Sequence, residues 1–198
     1  ADLNPKMQLM VCLREPIDRA FSAYLHGVRN GRYAQQATFE DALDIDSELI
    51  GRGLYASHIK NYLKFFPPEQ IHLAIFDDLK SDPRAFGKSI MRFLEIDEIN
   101  LDAKLLAKMM PAGTPRSRLL VTGAKTVSRW ARRSGMRKLH GRVKTSHIVR
   151  NALYRPFSDS DKPTVAPEQR EKLQPLFRDE INQLDSLFSL SLANRWGY

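Results

Sequence analysis

The stretch LREPIDRAFS contains the residues whose types and spacing could do chemistry: Arg14, Pro16, Asp18, Arg19 and Ser22. It follows directly on the apolar run MQLMVC, so Arg14 stands where a strand should end and Ser22 in the second turn of the helix that follows. Pro16 near the first helical position and Asp18 in the first turn have ordinary structural reasons. Proline's missing N–H is unpaired there in any case, and the acid complements the helix dipole. Arg14 and Ser22 have no such reason. An arginine at the carboxyl end of a strand, with a hydroxyl nearby, is what a bound phosphate requires: a planar cation matching the phosphate oxygens, and a donor beside it.

The elements that must position these residues alternate. Residues 7–13 read as a buried strand, and Ile17, Phe21, Tyr24, Leu25 and Val28 follow helical spacing until RNGR breaks it. ATFEDALDI predicts a short helix capped by Thr38, with Asp41 in the capping-box position. GLYASHIKNYLKFF places Tyr55, Ile59, Tyr62, Leu63 and Phe66 on one face and stops at Pro67 and Pro68. IHLAIF is a second strand, and a helix entered through Asp82 and Pro83 follows with Phe86, Ile90, Phe93 and Leu94 inward. PAGTPRSR is turn-rich, residues 118–133 predict a helix, and a last helix from about Glu168 to Phe188 carries the stripe Leu173, Phe177, Ile181, Leu184 and Phe188. Strands alternating with helices predict an α/β layered fold with parallel strands.

Composition narrows the class. At 198 residues and 42% hydrophobic content, the chain is long enough for one ordinary domain with a substantial core. The lone Cys12 excludes an internal disulfide framework, is expected to be a small buried hydrophobe, and fits a reducing compartment. No apolar run approaches the roughly 20 residues of a membrane span and no leader pattern opens the chain, so a cytoplasmic location is expected. The net charge of +8 is concentrated: residues 103–158 hold 14 Lys and Arg and no acid, while the remainder holds 17 basic and 23 acidic residues. One segment carries the whole surplus.

The spacing R-x-P-x-x-R-x-x-S, here Arg14, Pro16, Arg19 and Ser22, resembles the 3′-phosphate-binding motif of PAPS-dependent sulfotransferases. The likeness continues through GLYASHIKNYLKFFPPEQIHLAIFDDLKSDPRAFGKSIMRFL, through PAGTPRSRLL, and into LQPLFRDEINQLDSLFSLSLANRW, which are similar to bacterial members related to heparan sulfate and other carbohydrate sulfotransferases. Asp77 departs from the glutamate that many members carry before the Asp-Leu pair. The resemblance implies a P-loop-NTPase-like parallel sheet flanked by helices, with residues 1–198 as a single sulfotransferase-like domain. It implies 3′-phosphoadenylyl sulfate (PAPS) as donor, PAP as product, no metal, and a carbohydrate or glycolipid acceptor. Arg14 and Ser22 would grip the 3′-phosphate, and Tyr55 would approach the adenine or the acceptor. The family's Gly-, Lys- and Thr-rich phosphosulfate loop and its catalytic base lie upstream of this motif. Only 13 residues precede Arg14 and the first is alanine, so the chain is expected to be the carboxyl-terminal part of such an enzyme, without its first strand and inactive by itself.

Plainer readings stand beside these. Arg14 could pair with Glu15 or Asp18, Ser22 could be an ordinary exposed helix serine, and Arg19 a salt-bridge residue. Tyr55 sits on an apolar stripe, where core packing is the alternative. His26, one turn past Ser22, is an ordinary surface histidine unless it serves as a base. Arg116 and Arg118 offer two guanidinium groups to a phosphate or an anionic acceptor, or else line a solvated loop. Two other function classes compete with the enzyme. One is a basic module binding nucleic acid or anionic membrane; the other is a sulfotransferase-like scaffold without turnover. The sequence has no recognisable DNA-reading helix motif or RNA-type aromatic signature, so no specific nucleic-acid partner is expected.

The charge segment predicts a peripheral contact with anionic surfaces. Binding to vesicles containing anionic lipid should fall steeply with salt and weaken when Arg129, Arg132 and Arg133 become Gln, each basic residue near the surface contributing about 1 kcal/mol. Co-sedimentation unchanged by the triple substitution would contradict it.

Overall fold

Two five-residue strands pair in parallel. The computed structural model describes residues 4–99 and 163–198, with the backbone of the strands Gly113–Pro115 and Tyr154–Pro156. β1 (Leu9–Leu13) pairs with β2 (Ile71–Ile75) in register from Leu9 opposite Ile71 to Leu13 opposite Ile75. Between them run α1 (Pro16–Asn30), α2 (Phe39–Ile45), α3 (Glu48–Gly51) and α4 (Tyr55–Leu63). After β2 come α5 (Phe76–Ser81) and α6 (Pro83–Phe93), and the chain ends with α7 (Pro167–Phe188) and α8 (Leu192–Trp196). This is the α/β parallel arrangement expected from the alternating pattern.

The chain divides into two compact units, residues 1–106 with 164–198, and residues 107–163. In the second, β3 (Gly113–Pro115) pairs antiparallel with β4 (Tyr154–Pro156), so the stretch expected to be only a turn contains a short strand. Its partner lies some forty residues on, beyond the reach of local turn signals. The helix expected at residues 118–133 falls outside the described residues.

Local chemistry explains the helix starts. Thr38 and Asp41 form the reciprocal capping box read from the sequence, with Thr38 N–H donating to Asp41 at 2.7 Å and Asp41 N–H to Thr38 Oγ1 at 3.1 Å. Asp82 caps α6 by accepting from the N–H groups of Arg84 and Ala85, both at 3.0 Å. α1 ends at Gly31, whose φ of 79° is the left-handed conformation that glycine adopts without strain.

The core of the first unit is built against α7. Leu173, Phe177, Ile181 and Leu184 are buried, as the helical stripe predicted, and they meet Leu13, Ile17, Ala20, Tyr55, Ala56, Ile59 and Ile75. Gly53, in the turn before α4, lies close against α7: a Cβ there would be 2.7 Å from the Phe177 ring. Polar bonds flank the packing, from the Ser57 hydroxyl and N–H to Glu180 and from Lys60 to Gln183. Among the described residues, no helix is long and apolar enough to cross a membrane.

Four expectations are corrected. β1 starts at Leu9 and is not buried throughout; its residues alternate, and Met10 is 53% exposed. Cys12 is exposed, because it shares the outward face with Met10. Tyr62 is exposed: Ile59 and Leu63, one turn apart, face the core, and helical geometry sets Tyr62 to the side of that line. Leu94 is exposed because α6 stops at Phe93 and the chain reverses through Glu95 at φ 53°.

Phe177 is completely buried. Phe177→Ala should destabilise the fold by about 3–5 kcal/mol through lost burial and the cavity left behind. Urea unfolding followed by circular dichroism measures this, and a loss below about 1 kcal/mol would show that α7 does not anchor the core.

Candidate functional site

The parallel register brings the ends of β1 and β2 together, so Arg14 and Phe76, the residues that follow Leu13 and Ile75, stand side by side at the carboxyl edge of the sheet. Arg14 Cζ lies 5.5 Å from the centre of the Phe76 ring and Lys80 Nζ 4.9 Å from it, so two cations rest against one aromatic side chain. The Arg14 side chain stays 31% exposed. Its Nη2 is 3.8 Å from Asp18 Oδ2, too far for a hydrogen bond, and its Nε is buried with no partner. Beneath it, the Tyr55 hydroxyl donates to the Arg14 carbonyl at 2.7 Å and fixes the backbone at the strand exit. Burial, only partly offset by Arg19, the bond to Arg14 and the Arg14 charge, pushes the Tyr55 phenol up to about 12, so it remains a neutral donor.

The turn from β1 into α1 is organised by Glu15. Its carboxylate is buried, 6% exposed, and caps the helix by accepting from Ile17 N–H at 3.0 Å and Asp18 N–H at 2.7 Å. Two groups from the end of the chain complete it. Arg170 Nη1, from the first turn of α7, donates at 3.0 Å, and the Tyr198 hydroxyl donates to the other oxygen. Burial, reinforced by Glu15, pushes the Tyr198 phenol well up. Arg170 also donates through Nη2 to Asp18 Oδ1, so one guanidinium bridges two carboxylates. Burial opposes its charge, but the two acids more than compensate and raise its pKa.

A second set of contacts ties the chain end to α5, directly after β2. Trp196 Nε1 donates to Asp77 at 2.9 Å, Lys80 lies 3.0 Å from the other Asp77 oxygen, and Arg195 reaches Asp78 at 2.6 Å. Burial would raise the Asp77 carboxyl, yet the Trp196 and Lys80 hydrogen bonds and the nearby cations hold it below the ordinary range.

The structure places the expected site residues unevenly. Arg14 is at the sheet edge and partly accessible, and Ser22 is exposed on α1, with no protein partner for its hydroxyl among the described residues. Tyr55 is 7% exposed and bonded to the Arg14 backbone. Arg19 donates to the Leu49 carbonyl, and His26 is exposed beside Asn30. Arg116 and Arg118 lie outside the described residues. Glu15, Arg170 and Tyr198 were not singled out by the sequence reading. The signal for Glu15 was its position just before Pro16, where an N-cap belongs; nothing local marks Arg170 or Tyr198, which lie 155 and 183 residues away.

Residues 2–185 match the family model for the sulfotransferase domain. Among curated proteins, the chain is 28% identical over 108 residues to bifunctional heparan sulfate N-deacetylase/N-sulfotransferase 3 of Homo sapiens, covering 48% of this chain and 12% of that protein. It is 28% identical over 105 residues to heparan sulfate glucosamine 3-O-sulfotransferase 5 of Mus musculus, covering 48% of this chain and 30% of that one. The crystal structure of a sulfotransferase from Alicyclobacillus acidocaldarius superposes with a TM-score of 0.60 at 22% identity, covering all of this chain and 60% of that one. The aligned regions thus span less than two thirds of each of these relatives.

Proposed function

The chain belongs to the sulfotransferase domain family, and from that premise we propose that it takes part in moving a sulfuryl group from PAPS to a hydroxyl or amine of a carbohydrate or glycolipid acceptor. The observation that carries this reading is Arg14: a partly exposed guanidinium at the carboxyl end of a parallel strand, with no anionic partner at hydrogen-bond distance among the described residues. A cation poised in that way suits a phosphate group, and Ser22 on the adjoining helix supplies a hydroxyl to the same 3′-phosphate.

In the transfer, the bond from sulfur to the 5′-phosphate oxygen breaks as the bond to the acceptor forms, the acceptor loses its proton, and PAP leaves. Positioning and charge stabilisation carry most of such a reaction. On this reading Arg14 and Ser22 hold the nucleotide's 3′ side, and Tyr55 acts by fixing the Arg14 backbone. Arg116 and Arg118 add cations for the donor or for an anionic acceptor. The acid-free segment 103–158 supports an acceptor or headgroup of negative charge, met by a protein that works in the cytoplasm and touches membrane only peripherally.

Calorimetric titration of the 198-residue chain with PAP tests the reading. Arg14→Ala should weaken binding by at least tenfold, since a charge-assisted contact contributes about 1.5–3 kcal/mol. Ser22→Ala should cost less, because a neutral donor is weaker. Equal affinity for wild type and Arg14→Ala would remove Arg14 from the site.

A further inference from the structure

Arg14 and Asp18 are four residues apart across the start of α1, a spacing at which an arginine and an acid usually pair. Here they form only a loose ion pair: the nearest approach is 3.8 Å, beyond hydrogen-bond distance. The Asp18 carboxylate is turned instead to Arg170, whose Nη2 bonds Oδ1 while Nη1 bonds Glu15 at 3.0 Å. Glu15 cannot compete for Arg14, because its oxygens already accept from Ile17, Asp18, Arg170 and Tyr198. Among the described residues, Asp18 is the carboxylate that already lies in ion-pair range of Arg14 and could tighten onto it. An arginine locked to an acid must break that pair before it can take a phosphate.

We propose that Arg170 is a positioning residue that holds Asp18 off Arg14 and so keeps the Arg14 guanidinium available to an anionic ligand. The inference rests on the donor-site reading of Arg14 and deepens it. Arg170 touches no ligand in this scheme. It acts through Asp18, and its fork geometry is needed because one side chain must satisfy two carboxylates at once. The fold supplies it from the first turn of α7, so the anion site at the front of the chain depends on a helix near its end.

The test is titration of the full chain with adenosine 3′,5′-bisphosphate, with adenosine 5′-monophosphate as the ligand lacking the 3′ group. Arg170→Gln should weaken the bisphosphate about tenfold, the scale of one charge-assisted contact, and change the monophosphate by less than about twofold. Adding Asp18→Asn should return the double variant to within about threefold of wild type, because the competitor for Arg14 is then gone. A purely structural role would behave differently: both ligands would weaken together and Asp18→Asn would rescue nothing, which would overturn the proposal. Should Arg170→Gln fail to fold, Arg170→Lys decides, since a point charge cannot fork to two carboxylates: it should weaken the bisphosphate several-fold and leave the monophosphate within about twofold, and unchanged bisphosphate binding would count against the proposal. Arg14-dependent binding that is indifferent to Arg170 would sink this inference and leave the donor-site reading intact. Binding of the bisphosphate that does not depend on Arg14, or no binding at all, would overturn both.

Discussion

A carboxylate removed from water has to be paired and hydrogen-bonded, and Glu15 imposes that requirement on the whole first unit. Leaving such a group unpaired costs several kcal/mol, comparable with a large part of a domain's net stability. The chain meets it with two backbone N–H groups at the start of α1, a guanidinium from α7 and a phenol from the last residue. Four parts of the molecule are thereby tied at one point: the exit of β1, the first turn of α1, the first turn of α7 and the carboxyl terminus. The strand exit that bears Arg14 is fixed by the same point, since Arg14 immediately precedes Glu15 and its carbonyl is held by Tyr55.

The apolar packing supports that polar knot from below. Phe177, Ile181 and Leu184 of α7 lie under Leu13 and Ile17, the residues just before and after the turn. An aromatic group of Phe21, Tyr24, Tyr33 and Phe39 secures the next turns of α1, with Phe21 and Phe39 edge to face at 5.2 Å. With Ile17, Ala20, Phe21 and Tyr24 turned toward the protein, helical geometry turns Ser22 to solvent. The accessibility of the hydroxyl therefore follows from the burial of its neighbours.

The carboxyl edge of the sheet is also where charge is balanced most closely. Arg14, Lys80 and Arg195 face Asp18, Asp77 and Asp78, and most of these groups are paired at hydrogen-bond distance. Arg14 is the cation among them with no partner at hydrogen-bond distance, its nearest acid being Asp18 at 3.8 Å.

The sequence by itself determined what local chemistry and periodicity control. The capping box at Thr38 and Asp41, the Asp82 cap, the buried stripe of α7, the start of α1 at Pro16, the alternation that makes the fold α/β, and the motif from Arg14 to Ser22 were all legible, because each depends on residues within a turn or two of one another. Tertiary structure decided what depends on distant partners. Which face of β1 is covered, and hence the exposure of Met10 and Cys12, depends on what packs there. The exposure of Tyr62 depends on which line of α4, the one through Ile59 and Leu63, meets the core. The pairing of Gly113–Pro115 with Tyr154–Pro156 needs a partner that no local signal names. Above all, whether Arg14 would be locked to Asp18 or left open was undecidable from their spacing, which favours a pair. The answer came from Arg170, carried to Asp18 across 152 residues by the packing of a helix whose own sequence reveals only which of its faces is apolar.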